Sequence, residues 1–245
     1  MNETPVRAVP AAVTFDAAGT LIRPRLPVGV IYSEVARRYG ASCEAAELER
    51  RFWRAFRAAP PLCFPRAAEE EREARERQWW EQIVRQVFEG CAPSDFSAFF
   101  SELYATFARP ETWAVFPDVL PAFSGLRARG VRLGVVSNFD GRLEGILTGL
   151  RLRLWLDVVV TSSQAGAAKP SPEIFHVAAR KLALPPERLW HVGDDRVEDV
   201  AGAEAAGLRA FLIDRGGCAG AGCLTDLREL LALLNPDGTC GPTFG

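Results

Sequence analysis

The chain has 245 residues, of which 48% are hydrophobic and 24% are charged, an ordinary balance for a soluble globular protein. A chain of this length can bury a full core without disulfides or a structural metal, and it has room for one inserted domain. The formal net charge of −2 excludes any bulk electrostatic preference for nucleic acid or for an anionic membrane.

Neither a targeting segment nor a disulfide framework is expected. The N-terminal residues contain no apolar run of signal-peptide length, and no segment approaches the roughly 18 uninterrupted apolar residues of a membrane span. The six cysteines contain no CxxC pair, so we expect free thiols. They are Cys43, Cys63, Cys91, Cys218, Cys223 and Cys240. These features favour a cytoplasmic protein, with a monomer as the default state.

The first predicted element is a buried strand that ends in an acid. The segment AAVTFD at 11–16 is a short apolar run rich in β-forming residues, and the AAGTLI that follows is typical of a turn. The pattern therefore predicts a strand with Asp16 at its carboxyl end.

Four consecutive helices are predicted after this turn. Each segment has apolar residues at three-to-four spacing, and Gly or Pro separates one segment from the next. The segments are 28–40, 45–59, 68–90 and 94–108. Four helices with no strand between them predict a small bundle.

Strands and helices alternate after Pro110. Strands are predicted near 131–138, 155–163, 189–194 and 209–214, with a helix before each of them. This alternation predicts a parallel sheet covered by helices. The fold class is therefore α/β, a Rossmann-like parallel-sheet core with an inserted all-α, four-helix domain. The expected boundaries are 1–21 and 112–237 for the core, 22–111 for the insertion and 238–245 for a loose tail.

Polar residues stand at the carboxyl ends of these strands, where open α/β sheets bind their ligands. The predicted ends carry Asp16, Ser137, Thr161 and Asp194, each beside or followed by further small or polar residues. A polar, acid-rich edge above an apolar sheet favours a hard cation such as Mg²⁺.

Four motifs give these strand ends a family resemblance. FDAAGTL, VVSN, AAKPSPEIF and HVGDDRVEDVAGAEAAG occur in this order on the predicted elements. They resemble the four signatures of the haloacid dehalogenase superfamily over roughly 10–21 and 112–215. The runs SNFDGRLEGIL and QWW narrow the resemblance to one branch, in which a helical cap follows the first motif. The resemblance implies a Mg²⁺-dependent phosphohydrolase that acts on a small phosphorylated substrate selected by the cap.

The resemblance also assigns the nucleophile and the metal ligands. Asp16 would attack phosphorus to form an aspartyl phosphate and would bind Mg²⁺ together with Asp194 and the backbone carbonyl of Ala18. Asp195 would reach the metal through a water molecule. The alternative for Asp194 and Asp195 is to cap the following helix, which is a common role for Asp at that place.

The remaining motif residues are implied to bind phosphate. Lys169 would bridge the nucleophile and the phosphate, while Ser137 and the backbone N–H of Asn138 would hold phosphate oxygens. Asp199 would orient Lys169 or a metal-bound water without touching the metal itself. Lys169 is notable because lysine occurs only twice among the 29 basic residues, the other being Lys181.

Other candidate residues are expected to be structural. His176 lies on a predicted helix and His191 within a predicted strand, and neither has a Ser or Cys nucleophile elbow to serve. Trp79 and Trp80 are expected in the core and at the edge of the bundle. Arg23 and Arg25, in the hinge after the first turn, are candidates for contact with an anionic substrate, although linker arginines are usually surface residues.

The resemblance fails at one chemically important position. Phosphatases of the superfamily carry a second Asp two residues after the nucleophile, which protonates the leaving group and then activates water. Here that position is Ala18. Metal binding needs only the backbone carbonyl there, but general acid–base catalysis contributes about 10²–10⁴-fold to a rate.

Two interpretations of Ala18 stay open. The chain is either a weak or specialised phosphohydrolase, or a catalytically impaired regulatory relative that binds a phosphate or a metabolite. Phosphonatases of the superfamily also carry Ala at this position, but they need a cap lysine and residues 22–111 contain none. Dehalogenases place an aromatic residue there and lack the Gly-Asp-Asp arrangement, so both other chemistries are disfavoured.

Overall fold

The computed structural model describes residues 9–217 and 222–234. Its first strand, β1 (Ala12–Phe15), is followed by the short β2 (Ile22–Pro24). Four helices come next: α1 (Val28–Arg37), α2 (Ala45–Ala58), α3 (Glu69–Val87) and α4 (Phe96–Ala108). All four predicted helices are therefore present, and we call α1 to α4 the helical insertion.

The second half alternates strands and helices as predicted. In chain order its elements are β3 (Trp113–Val115), α5 (Val119–Arg127), β4 (Arg132–Ser137), α6 (Arg142–Gly149), β5 (Val158–Thr161), α7 (Ser162–Ala165), α8 (Pro172–Leu182), β6 (Leu189–Gly193), a π-helical segment (Arg196–Ala201), α9 (Gly202–Ala205), β7 (Arg209–Ile213), β8 (Cys223–Leu224) and α10 (Glu229–Leu233). None of the helices in the described ranges is long and apolar enough to cross a membrane.

A six-stranded parallel sheet forms the core, in the order β5-β4-β1-β6-β7-β8. The three central strands are largely buried, as expected for a parallel sheet with helices on both faces. In register, Phe15 pairs with Val135 on one side and with Val192 on the other. The carboxyl ends of β4, β1 and β6 therefore lie side by side, and the Rossmann-like α/β prediction is confirmed.

The helical insertion has a hydrophobic cluster of its own. It includes Tyr32, Leu48, Ile83 and Phe99, separate from the two clusters that cover the sheet. This separation fits a two-domain division, while the boundaries at 22 and 111 stay a prediction and the predicted tail at 238–245 lies outside the described residues.

Two local features differ from the prediction. β2 and β3 form a small antiparallel sheet where the chain leaves and re-enters the core, with Ile22 opposite Val115. Three-residue strands carry too little periodicity to be recognised. The helix expected after β6 begins as a π-helical segment, a form that concentrates at functional sites.

The expectation of free thiols is wrong for Cys43 and Cys91, which form a disulfide between the segment before α2 and the one after α3. They are separated by 48 positions in sequence, so only the packing of the helices brings them together. Cys223 is also disulfide-bonded, whereas Cys63 is a free, partly buried thiol. Cys218 and Cys240 lie outside the described residues.

Candidate active site

The ends of three adjacent strands bring the predicted site together. Asp16 directly follows β1, Ser137 is the last residue of β4, and Asp194 follows β6. The hydroxyl of Ser137 donates to Asp16 Oδ1 at 2.9 Å, and Lys169 Nζ donates to the same oxygen at 2.6 Å. Asp16, Ser137 and Lys169 are all buried. Ser137 and Lys169, which lie 121 and 153 positions after Asp16 in sequence, therefore form one hydrogen-bonded group with it.

Lys169 lies between two carboxylates. Besides Asp16, its ammonium donates to Asp199 Oδ1 at 2.5 Å. Burial alone disfavours the charged ammonium, but Asp16 and Asp199 outweigh that cost and raise the pKa of Lys169. Burial likewise opposes the charge of Asp199, and the favourable contacts with Lys169 and His191 nevertheless hold its pKa below the ordinary value. Lys169 and Asp199 therefore form a charged pair.

The side chain of Asn138 fixes the backbone of Lys169. Its Nδ2 donates to the carbonyl of Lys169 at 3.0 Å, and its Oδ1 accepts from the N–H of Lys169 at 2.8 Å. Nδ2 also donates to Glu198 Oε2 at 2.9 Å. The sequence assigned Asn138 only a backbone role, so this two-way clamp and the contact with Glu198 are additions from the structure.

Asp194 is crowded by other negative charges. Burial, followed by the proximity of Asp16 and Asp199, raises the pKa of Asp194 to about 7. Its carboxylate occupies the space where a side chain on Gly19 would lie, and Gly19 has a φ of +101°. This explains the glycine in the FDAAGTL turn. A cation beside Asp194 and Asp16 would relieve the repulsion between them.

The donor set fits a hard divalent cation. Two carboxylates, from Asp16 and Asp194, and the carbonyl of Ala18 are oxygen ligands of the kind that Mg²⁺ accepts, with water in the other positions. Within residues 9–217 and 222–234, no three His, Cys, Asp or Glu side chains are grouped to hold a metal. The metal ligands implied by the sequence are two side chains and one backbone carbonyl.

Asp195 has the capping role that was the alternative at its position. Its Oδ1 accepts from the N–H groups of Val197 and Glu198 at 2.7 and 2.8 Å, at the start of the π-helical segment. Its own N–H donates to Asp199 Oδ2 at 3.0 Å. Asp195 therefore supports Asp199 through its backbone.

His191 belongs to the buried network rather than only to the strand core. Its Nε2 lies 3.1 Å from Asp199 Oδ1, and its Nδ1 lies 2.9 Å from the hydroxyl of Thr14. Sequence reasoning missed this contact. The available signal was a polar residue in each of two apolar strands, but only their register places Thr14 opposite His191. His176, in contrast, lies near the carbonyl of Ala206 at 3.2 Å.

Known proteins match this chain over most of its length. A model of the family described as haloacid dehalogenase-like hydrolase matches residues 10–207. The chain belongs to this hydrolase family. The haloacid dehalogenase-like hydrolase domain-containing protein 3 of Mus musculus is 39% identical over 204 residues, 82% of this chain and 80% of the relative. The branch indicated by the sequence is thereby confirmed.

Solved structures of haloacid dehalogenase-like (HAD) proteins are also similar. A HAD phosphatase from Thermococcus onnurineus is 27% identical, with a TM-score of 0.62 over 91% of this chain and 97% of that one. The HAD-hydrolase YfnB from Bacillus subtilis, solved with bound magnesium, has a TM-score of 0.72 at 15% identity, over 93% of this chain and 100% of that one. At 15% identity, the similarity to YfnB is a similarity of fold.

In this hydrolase, Ala18 is exposed beside the buried Asp16.

Arg23 and Arg25 contact the segments through which the chain leaves and re-enters the core. Arg25 Nε donates to the carbonyl of Glu111 at 3.0 Å, and the guanidinium of Arg23 lies 5.5 Å from the centre of the Phe116 ring. These contacts give both arginines a structural role.

The helical insertion contacts the core through polar groups next to the site. Glu76 accepts from the N–H of Gly141 at 3.1 Å and from the hydroxyl of Ser163. Trp80 Nε1 donates to Asp140 Oδ2 at 2.6 Å. We call this contact the docking surface. Its residues are Leu62, Glu76, Trp80 and Tyr104 of the insertion and Asp140, Gly141, Arg142, Ser162 and Ser163 of the core.

Proposed function

We propose that this hydrolase is a Mg²⁺-dependent phosphohydrolase that acts on a small phosphorylated metabolite through an aspartyl phosphate at Asp16. The observation that carries the proposal is the arrangement around the Asp16 carboxylate. Oδ1 accepts from Ser137 and Lys169, whereas Oδ2 has no hydrogen-bond partner among the described residues. One oxygen is therefore fixed, and the other is available to a ligand.

The site suits an anionic electrophile. A carboxylate approaches a phosphate group against electrostatic repulsion, and the Lys169 ammonium beside Asp16 offsets it. The hydroxyl of Ser137 and the backbone N–H of Asn138 supply donors for phosphate oxygens. Mg²⁺, held by Asp16, Asp194 and the carbonyl of Ala18, would supply further charge neutralisation.

The reaction proceeds in two displacements. In the first, an Asp16 oxygen forms a bond to phosphorus while the bond from phosphorus to the leaving oxygen breaks. In the second, a water oxygen forms a bond to phosphorus while the bond from phosphorus to the Asp16 oxygen breaks, so that inorganic phosphate leaves, a proton of the water passes to solvent and the Asp16 carboxylate is regenerated. Because Ala18 cannot protonate the leaving oxygen, the first step favours leaving groups that are stable as anions, such as acyl and aryl oxygens.

The comparisons support the phosphatase assignment and the metal. The Thermococcus relative is described as a HAD phosphatase, and YfnB was solved with magnesium. The helical insertion, which docks beside the site, would serve as the cap that selects the substrate.

A second function is favoured by Ala18 itself. If no other group supplies the proton, the same site binds a phosphorylated metabolite without useful turnover, and the protein acts as a regulatory relative. Ala18 is exposed, so an aspartate introduced there has room at the mouth of the site.

Steady-state hydrolysis of acetyl phosphate and p-nitrophenyl phosphate, with and without Mg²⁺, separates the two functions. The wild type is expected to hydrolyse both substrates only with Mg²⁺, Asp16→Asn to be inactive, and Ala18→Asp to hydrolyse an alkyl phosphate, assayed in parallel, that the wild type leaves intact. Activity that survives Asp16→Asn would contradict the nucleophile. An inert wild type that gains turnover with Ala18→Asp would establish the regulatory alternative.

A further inference from the structure

A chain of hydrogen bonds runs from β1 through β6 and returns to β1. Thr14 and His191 pair in register on the two strands, and both are fully buried. His191 contacts Asp199, Asp199 contacts Lys169, and Lys169 contacts Asp16. Since side chains two residues apart point to the same face of a strand, Thr14 and Asp16 begin and end this chain on one face of β1.

The partners of His191 determine which nitrogen carries the proton. Asp199 is charged and can only accept, so Nε2 of His191 must carry a hydrogen to bond with it. Burial lowers the pKa of His191, which keeps the imidazole neutral and leaves Nδ1 without a proton. Thr14 can then donate its hydroxyl to Nδ1, at 2.9 Å, in preference to the carbonyl of Trp190, at 3.2 Å.

Three donors fix the carboxylate of Asp199. Oδ1 accepts from Lys169 and His191, and Oδ2 accepts from the N–H of Asp195. The carboxylate also fills the space where a side chain on Gly193 would lie. Of the two side-chain donors, Lys169 is long and flexible, whereas the imidazole is held at both nitrogens and lies nearly perpendicular to the ring of Phe175, at 4.9 Å between ring centres.

We propose that His191 is a positioning residue, which holds Asp199 by a neutral hydrogen bond and so places the Lys169 ammonium beside Asp16 and the phosphate. A neutral donor suits this role because it orients Asp199 without competing with Lys169 for its charge. Asp199 sets the tautomer, and the hydroxyl of Thr14 donates to the nitrogen that is left without a proton. The inference rests on the proposed function only for its effect on turnover.

Two substitutions separate positioning from packing. His191→Leu removes the donor at similar volume, and His191→Gln keeps a neutral N–H that can reach Asp199. With Mg²⁺ and acetyl phosphate, His191→Leu is expected to lower kcat about 10–100-fold and to raise KM, and His191→Gln to recover most of both losses. An unchanged kcat in His191→Leu, or equal losses in the two variants, would overturn the proposal.

Binding of inorganic phosphate, measured by calorimetry in the presence of Mg²⁺, tests the same point without turnover. His191→Leu is expected to weaken binding and His191→Gln to restore it, even if the wild type proves inert toward every phosphate ester. Failure of the proposed function would then appear in the wild-type kinetics alone. Equal phosphate affinity in wild type and His191→Leu would contradict the role of His191.

Nitrogen NMR gives a direct reading of the tautomer. The chain has only two histidines, so His176→Gln leaves a single imidazole to observe. A neutral ring protonated at Nε2 is expected from about pH 7 to about pH 9. A ring protonated at Nδ1, or a charged ring in that range, would overturn the inferred hydrogen bond.

Discussion

The active site and the docking surface each hold a cation beside carboxylates, but they use different side chains. At the site, Lys169 bridges Asp16 and Asp199 with single bonds of 2.6 and 2.5 Å. At the docking surface, Arg142 binds both oxygens of Asp140, at 2.9 and 2.6 Å, and lies 3.9 Å from the centre of the Tyr104 ring. A compact ammonium can serve two acceptors and a phosphate, whereas a planar guanidinium suits one carboxylate and an aromatic face.

The charge balance of the two regions also differs. At the site, Asp16, Asp194 and Asp199 surround a single ammonium, so the carboxylates exceed the cations and favour a metal. At the docking surface, Asp140 has its own partner in Arg142, and Glu76 is held by hydrogen bonds alone. Burial raises the pKa of Glu76. At the site, Lys169 and Asp199 thus keep their charges as a pair, whereas at the docking surface burial opposes the charge of Glu76.

The largest expected effect comes from removing the ammonium at the site. Lys169→Met leaves Asp16 and Asp199 buried without a cation, so we expect a loss of about 3–5 kcal/mol in the free energy of unfolding. The loss in kcat/KM is expected to be about 10²–10³-fold or more. Urea unfolding and acetyl phosphate kinetics measure the two effects.

The pH dependence of this destabilisation has a definite sign. The pKa of Asp199 is held below its ordinary value of 3.8, so its pairing stabilises the fold above that pH and is lost as pH falls through the lower folded value. The deficit of Lys169→Met therefore shrinks in acid. Lys181→Met, at the exposed end of α8, is the control, and a similar deficit there would contradict the assignment.

A smaller effect is expected from displacing Asp194. Gly19→Ala places a methyl group where the Asp194 carboxylate lies, so we expect Mg²⁺ affinity to fall about 10–100-fold. Gly130 has a comparable φ of +75°, but a side chain there meets nothing within 4 Å. Gly130→Ala therefore carries the same kind of backbone strain without the collision, and its Mg²⁺ affinity in calorimetry should equal that of wild type. Equal affinities for both variants would show that Asp194 is not a ligand.

The site could be foreseen from the sequence to the extent that it depends on strand order. Asp16, Ser137 and Asp194 stand at strand ends, and the rule for open α/β sheets places such ends along one edge. The roles of His191 and Asn138 depend on register and on loop shape. Thr14 faces His191 only because the register of β1 and β6 places these two residues opposite each other. Asn138 contacts Lys169, which lies 31 positions later in sequence. Hydrophobic periodicity contains neither relation.

At the docking surface, Glu76→Gln tests the cost of burying a negative charge at this position. A carboxyl group whose pKa is raised by folding holds its proton more tightly in the folded state, so stability is greatest below the ordinary pKa of 4.5 and falls as pH rises through the folded value. Glu76→Gln is therefore expected to be more stable than wild type near pH 8 and to lose that advantage in acid. Thermal unfolding across pH measures the difference between the two proteins.

The matched control for this test is Glu76→Ala. It removes the acceptor of the Gly141 N–H and the Ser163 hydroxyl, so we expect a loss of about 1–3 kcal/mol in acid, which becomes smaller at high pH because the wild type then carries the buried charge. A glutamine variant as unstable as the alanine variant would show that the negative charge itself, rather than the hydrogen bonds, holds the insertion to the core.

The smallest effect is expected from a single N–H at the docking surface. Trp80→Phe keeps an aromatic ring beside Phe56 and Arg142 and removes only the bond to Asp140. Because Arg142 still binds both oxygens of Asp140, the charge keeps a partner, and we expect a loss of about 1–2 kcal/mol in urea unfolding.

Trp53→Phe is the control for the loss expected in Trp80→Phe. The Nε1 of Trp53 also donates to a carboxylate, that of Glu49 at 2.7 Å, but 40% of the residue is exposed. Water replaces this exposed bond, so Trp53→Phe should cost less than about 0.5 kcal/mol. Equal losses in the two variants would mean that the Asp140 contact is no more protected from water than a surface bond. The docking surface would then lack the dry environment that raises the pKa of Glu76, and the contrast with the charged site would lose its physical basis.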